Sequence, residues 1–131
     1  MGSLGVWLLF LEVFMSVTLK NIVIFVTDLA RAKAFYVDLL GLPLAGQSEM
    51  MMEFFPGAAT TLGVALALQD EARKLVGRHT GITLTVEKIE DLCAALAESG
   101  ARFVEPLESS PWGKMAVVAD SDGNQIALVN R

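Results

Sequence analysis

One pattern, run through twice, limits what this chain can fold into more than any other feature. Asn21-Ile22-Val23-Ile24-Phe25-Val26 alternates apolar side chains at the period of a strand, then gives way to a helical spacing that stops at Gly41. About sixty residues further on, at the spacing of a large structural repeat, Gly81-Ile82-Thr83-Leu84-Thr85-Val86 enters a second helical pattern that stops at Gly100. A strand feeding a helix, repeated at that distance, predicts two copies of one unit rather than one continuous sheet-and-helix series.

Each copy can be followed further. Ile22, Ile24 and Val26 are apolar and β-branched and predict the strand face that packs on helices, which turns Asn21, Val23 and Phe25 the other way. Asp28 is suited to cap a helix with Leu29, Ala32, Phe35, Tyr36 and Leu39 on one side. Leu42-Pro43-Leu44, Met50 to Phe55 and Gly63 to Leu68 predict further strands, with a turn at Pro56-Gly57. In the second copy Ile89, Leu92, Cys93 and Leu96 form the apolar stripe of a helix. Phe103-Val104, Met115 to Ala119 and Gln125 to Val129 are its strands, and Asp120-Ser121-Asp122-Gly123-Asn124 is a tight turn. The order is βαβββ twice, with the polar segment Asp70 to Arg78 between the copies.

A chain of 131 residues is long enough to bury one core. We expect a single domain over residues 16–131, with module one at 16–70 and module two at 78–131, preceded by an apolar extension over 1–15. The run Gly5 to Leu11 with Val13-Phe14-Met15 is too short to span a bilayer and lacks a basic start, so no stable membrane insertion is expected. A net charge of −5 with scattered Lys and Arg disfavours nucleic acid as a partner. A single cysteine, Cys93, carries no sign of an oxidising compartment, and a cytoplasmic location is expected.

Val26-Thr27-Asp28-Leu29, Phe35-Tyr36-Val37-Asp38-Leu39-Leu40-Gly41-Leu42, and Pro111-Trp112-Gly113 followed by Asp120 to Ile126 resemble the vicinal-oxygen-chelate superfamily. That group includes glyoxalases, extradiol dioxygenases, fosfomycin-resistance enzymes and bleomycin-resistance proteins. The resemblance covers about Ser16 to Asn130. It implies an α+β fold in which two βαβββ modules form a curled mixed sheet around a shared cavity, helices on the outer face, commonly as a homodimer.

The resemblance also implies where a divalent metal would be held. Metal-using members place a His where this chain has Asn21 and Gly81, and a Glu where it has Ala127. The corresponding strand of module one, Gly63-Val64-Ala65-Leu66-Ala67-Leu68, has no ligating side chain. A catalytic divalent ion needs about three donors from His, Cys, Asp and Glu with one position left open. No cofactor is therefore expected; a shifted pair, His79 and Glu53, is the alternative through which a metal could be retained.

Six residues are candidates for binding a small organic molecule in the cavity. Asn21, His79 and Gln125 would orient it by hydrogen bonds, Trp112 would stack on it, and Met52 and Phe54 would line an adaptable apolar wall. Each has a structural counterpart role: a satisfied amide, an exposed strand start, core or dimer packing. Tyr36 and Cys93 are expected in the core, and Asp120, Asp122 and Asn124 in a hairpin turn rather than a calcium loop. No Ser-His-Asp set or phosphate-cradling loop is present. The leading expectation is a metal-free binding protein rather than an enzyme. The alternatives are a metal-dependent lyase, isomerase or dioxygenase with shifted ligands, and an interaction module that uses the apolar N-terminus.

Overall fold

The computed structural model describes residues 16–130; the expected apolar extension over 1–15 lies outside the described residues. Module one contains β1 (Asn21–Val26), α1 (Leu29–Lys33), β2 (Leu44–Gln47), β3 (Met51–Phe54) and β4 (Thr61–Leu66). A short helix, α2 (Asp70–Arg73), crosses to module two, which contains β5 (His79–Thr85), α3 (Ile89–Glu98), β6 (Arg102–Ser110), β7 (Gly113–Ala119) and β8 (Gln125–Asn130). The strands form two four-stranded mixed sheets of the same topology, β1-β4-β3-β2 and β5-β8-β7-β6. In each, the strand before the helix runs parallel to the last strand, Ile24 beside Val64 and Leu84 beside Leu128.

The period-two pattern sets which side of each sheet is dry. Ile24, Val26, Met52, Phe54, Leu62 and Val64 of the first sheet, and Ala116, Val118, Ile126 and Leu128 of the second, all point to the helices. They join Ala32, Phe35, Tyr36, Ile89, Cys93 and Leu96 in one apolar cluster that spans both modules. On the opposite faces Val23, Phe25, Met51 and Ala65 in one sheet and Thr83, Thr85, Met115 and Ala127 in the other are half-buried or exposed, while Gly63, Val117 and Val129 are buried there.

Asp28 caps α1 as expected, its carboxylate accepting from the Arg31 N–H at 3.0 Å. The helix does not continue in α form: Ala34–Leu39 is π-helical, with the Leu40 N–H bonded to the Phe35 carbonyl at 2.9 Å. The wider turn brings two consecutive aromatic residues, Phe35 and Tyr36, into the core, with ring centroids 5.0 Å apart and nearly perpendicular. β6 is longer than Phe103-Val104 predicts. Pro106 is accommodated because β6 lies at the sheet edge and its pairing with β7 is broken by bulges.

The two modules are joined by polar side chains as well as by the core. The carboxylate of Asp120, a residue 6% exposed, accepts four hydrogen bonds. The Tyr36 hydroxyl donates to Oδ2 at 2.7 Å and the Asn124 Nδ2 at 2.9 Å, while the Asp122 and Asn124 N–H groups donate to Oδ1, both at 2.9 Å. Asn124 also donates to the Phe25 carbonyl on the outer edge of β1 at 3.0 Å and accepts from the Gly77 N–H at 2.8 Å. Asp122 takes both the Thr27 N–H, at 2.8 Å, and the Thr27 hydroxyl, at 2.5 Å. The turn that sequence reasoning assigned to a hairpin is thus the clamp that holds module one against module two.

Tyr36 is fully buried, and this burial, with the Asp120 carboxylate second, pushes its phenol far above the ordinary value near 10. A raised native pKa means that the bond is fully available below pH 10 and that stability falls as pH rises beyond it, where only the unfolded chain loses the proton. Tyr36 is the chain's single tyrosine, so tyrosinate absorbance near 295 nm should appear together with loss of tertiary structure in an alkaline titration, not before it. Tyr36→Phe should lower stability by about 1–3 kcal/mol in urea unfolding and weaken the alkaline dependence.

Candidate functional site

At the seam, the free edges of β1 and β5 enclose a cavity of about 240 Å³ lined by residues that include Val23, Phe25, Leu75, Arg78, His79 and Ile82. Ligand pockets for drug-sized molecules run from about 300 Å³ upward, so this space holds a small fragment at most. His79 is exposed and lies directly beside Gln125 across the β5–β8 pairing. Its Nδ1 accepts from the Gly81 N–H at 3.0 Å, which leaves Nε2 to carry the proton in the neutral ring. Asn21 is half-buried at the start of β1, beside Thr61, and neither it nor Gln125 lines the cavity.

A second cavity, of about 380 Å³, lies on the open face of module two at the β6–β7 hairpin, where Glu105, Glu108, Trp112, Met115 and Val129 surround it. Trp112 is 74% exposed, so core packing does not account for it. Gln125 and Asn130 bound β8, and Asn130 pairs with Lys114 at the hairpin end, which puts the His79–Gln125 end and the Trp112 end about 17 Å apart at the rise of an extended strand.

The six candidates therefore do not converge on one wall. Met52 and Phe54 are corrected outright: both are 0% exposed and belong to the core, because they share the face of Val64 and Leu62, their neighbours in β4. Met51 and Glu53 are the members of that strand that turn away from the helices. Glu105 and Glu108, which the sequence offers only as general-base candidates, were missed as neighbours on the open face, where they occupy the same rows as Val117 and Met115. The bulges in β6 break the simple alternation that would have revealed them. Asp120 and Asn124 were also missed as inter-module contacts, although a buried tyrosine hydroxyl calls for a partner.

The positions at which related proteins hold a metal do not fit a divalent ion. Between His79 and Thr83 the β5 strand bulges out of register with β8, and Gly81 lies inside that bulge at φ +74°. The Thr80 hydroxyl stabilises it, accepting from the Ile82 N–H at 3.1 Å and donating to the Gln125 carbonyl at 2.7 Å. A histidine at position 81 would have to adopt this left-handed backbone, which L side chains rarely do. Ala127 and Asn21 supply no carboxylate or imidazole, and β4 presents Gly63 and Ala65 on its open side. Among the described residues no three His, Cys, Asp or Glu side chains gather into a metal-binding group, the shifted pair of His79 and Glu53 included.

The chain belongs to the Glyoxalase/Bleomycin resistance protein/Dioxygenase superfamily, whose sequence pattern it matches over residues 18–128. A member of that superfamily from Sphaerobacter thermophilus DSM 20745 is 30% identical, with 88% of this chain and 98% of that one covered at a TM-score of 0.70. TnmS3, an antibiotic binding protein from Streptomyces sp. CB03234, is 27% identical over 87% of this chain and 95% of its own, with a TM-score of 0.71. A glyoxalase/bleomycin resistance protein from the same Streptomyces is 28% identical over 86% and 99%, with a TM-score of 0.67. Among curated proteins no sequence matches.

Gly81→Ala tests the bulge directly, because an added Cβ meets no atom within 4 Å and the cost is confined to the backbone. It should destabilise the fold by about 1–2 kcal/mol, the usual penalty of a left-handed non-glycine residue. Gly46→Ala, also without a neighbour within 4 Å but not at positive φ, should leave the unfolding midpoint unchanged or slightly raised.

Proposed function

We propose that this chain is a metal-free binding protein that sequesters a small organic molecule on the open faces of its sheets, as a homodimer in the cytoplasm. The observation that carries the reading is the combination of an intact family fold with the loss of every family donor: Asn21, the apolar β4 strand, Gly81 in its bulge, and Ala127. Holding a molecule needs a shaped apolar surface and a few polar groups, and both remain here; activating one by a Lewis acid needs donors that these positions do not supply. The likeness to an antibiotic binding protein at 27% identity supports the same direction. Val23, Phe25 and Met51 on one open face, with Met115 on the other, leave apolar surface that a second copy would help to enclose.

The test is a thermal-shift and mass-spectrometry screen of planar organic compounds with the full chain purified without chelator. A ligand at a hundredfold its Kd should stabilise the native state by about 2.7 kcal/mol, keep that effect in EDTA, and be recovered chemically unchanged. Conversion of the compound, or a stoichiometric metal that is lost in His79→Ala, would overturn the reading.

A further inference from the structure

The chain enters β1 and β5 in the same way, which lets one end of the seam be compared with the other. At β5 the Gln125 N–H donates to the Arg78 carbonyl at 2.9 Å, and the Asn124 side chain accepts from the Gly77 N–H at 2.8 Å. At β1 the Thr61 N–H donates to the Lys20 carbonyl at 3.1 Å, and the Thr60 hydroxyl donates to the Leu19 carbonyl at 2.8 Å. Asn21 then pairs with Thr61 as His79 pairs with Gln125, so a constant step of 58 positions relates the two entering segments. Upstream of β5 that segment is an arm: α2 lies against β1, and Leu75 covers the seam cavity beside Val23 and Phe25. The same step puts Val17 in the place of Leu75, and residues 12–15 in the place of α2.

The surface due to lie beneath the second arm is open. Between residues 40–43 of module one and the free edge of β5 is a cavity of about 660 Å³, walled by Leu42, Phe55, Leu84, Val86 and Leu92. Thr83 and Thr85 line it at the register positions that Val23 and Phe25 hold beneath the first arm. Ala58 stands where the other turn has Asp122, and so brings no carboxylate to close the gap as Asp122 does on Thr27. The chain that leads here is apolar: Val17 and Leu19 are 80% and 63% exposed, and before them runs Leu8-Leu9-Phe10-Leu11-Glu12-Val13-Phe14-Met15. In α2 only Ala72 is not exposed, and its counterpart is Phe14. Glu12, the sole charge in residues 8–15, is the counterpart of Asp70, which is exposed. The inward position of the second arm is therefore its aromatic one, and the outward position its charged one. An apolar run in water is costly, and this cavity is the apolar surface beside its point of entry.

We propose that residues 8–15 fold back on their own chain and close this cavity, with Phe14 inserted beside Leu42 and the edge of β5. The arm covers the free edge of β5 as α2 covers that of β1, and it protects an edge strand from pairing with another chain. The proposal does not depend on the binding-protein reading, because its occupant is part of the protein itself.

Photocrosslinking of the full chain with p-benzoyl-phenylalanine in place of Phe14 tests the placement. Crosslinks should form within one chain, to peptides that contain residues 40–43 or 83–87. Phe14→Glu should lower the thermal unfolding midpoint by at least about 5 °C and raise the fluorescence of 1-anilinonaphthalene-8-sulfonate severalfold, as the apolar walls become open to the dye. Phe14→Leu, which keeps an apolar side chain at the inward position, should do neither. Crosslinks that join two chains overturn the proposal by giving the segment to a second copy. Crosslinks confined to other parts of the chain, or none, overturn it as well, and that readout decides even where Phe14→Glu does not fold. An unchanged midpoint with unchanged dye fluorescence in Phe14→Glu also overturns it.

Discussion

The buried carboxylate of Asp120 is the contact on which the arrangement of the two modules depends. An ionised carboxylate is costly to take out of water, and this one is tolerated because four donors converge on its two oxygens. Three of those donors belong to its own turn and make it rigid; Asn124 then carries that rigidity to the edge of β1, and Tyr36 carries it to the helix of module one. Apolar packing alone is non-directional and would hold the modules together without defining their angle. The polar contacts do define it, and hence the width of the gap between β1 and β5. Losing the Tyr36 hydroxyl would leave Asp120 short of one donor in a place that water does not reach, which is why the cost falls on the module interface first.

The repeat is a repeat of topology and not of chemistry. The residue following β3 is Phe55, and the one following β7 is Asp120; both open the turn that leads to the last strand of their module. Phe55 lies at φ +70°, an unusual conformation for a bulky aromatic residue, and its N–H donates to the Pro43 carbonyl at 2.9 Å. Further along the same turns Thr60 donates to the Leu19 carbonyl at 2.8 Å, where Asn124 reaches both Phe25 and Gly77. Module two has therefore taken over the joining function, and module one has kept an apolar turn under strain.

How much of this was legible depended on whether a residue obeys local periodicity. The core was readable at Ile24, Val26, Cys93 and Leu96 because a two-residue or helical period directly encodes which way a side chain points. The same rule, applied consistently, puts Met52 and Phe54 with Val64 and Leu62; choosing them for the cavity because methionine and phenylalanine suit a soft pocket set composition above parity. The π-helical turn at Ala34–Leu39 was hidden, since its apolar residues fit an α-helical stripe equally well. Bulges concealed the rest: register slips in β5 and β6 move Gly81, Glu105 and Glu108 off the alternation that sequence reasoning must assume. Contacts over long separations, such as Tyr36 with Asp120, leave only the weak trace that each buried polar group needs some partner.

The bulge at Gly81 also separates two kinds of loss among the donor positions. At Ala127 the strand still runs in register, beside Thr83 and Val117, so only a side chain is missing there. At Gly81 the chain has turned into the left-handed region, His79 has been recruited to accept the Gly81 N–H, and Thr80 closes the bulge from the other side. A histidine restored at position 81 would meet unfavourable backbone sterics before it met any metal. Side chain, strand register and local hydrogen bonding would all have to change together for an imidazole to fit at position 81.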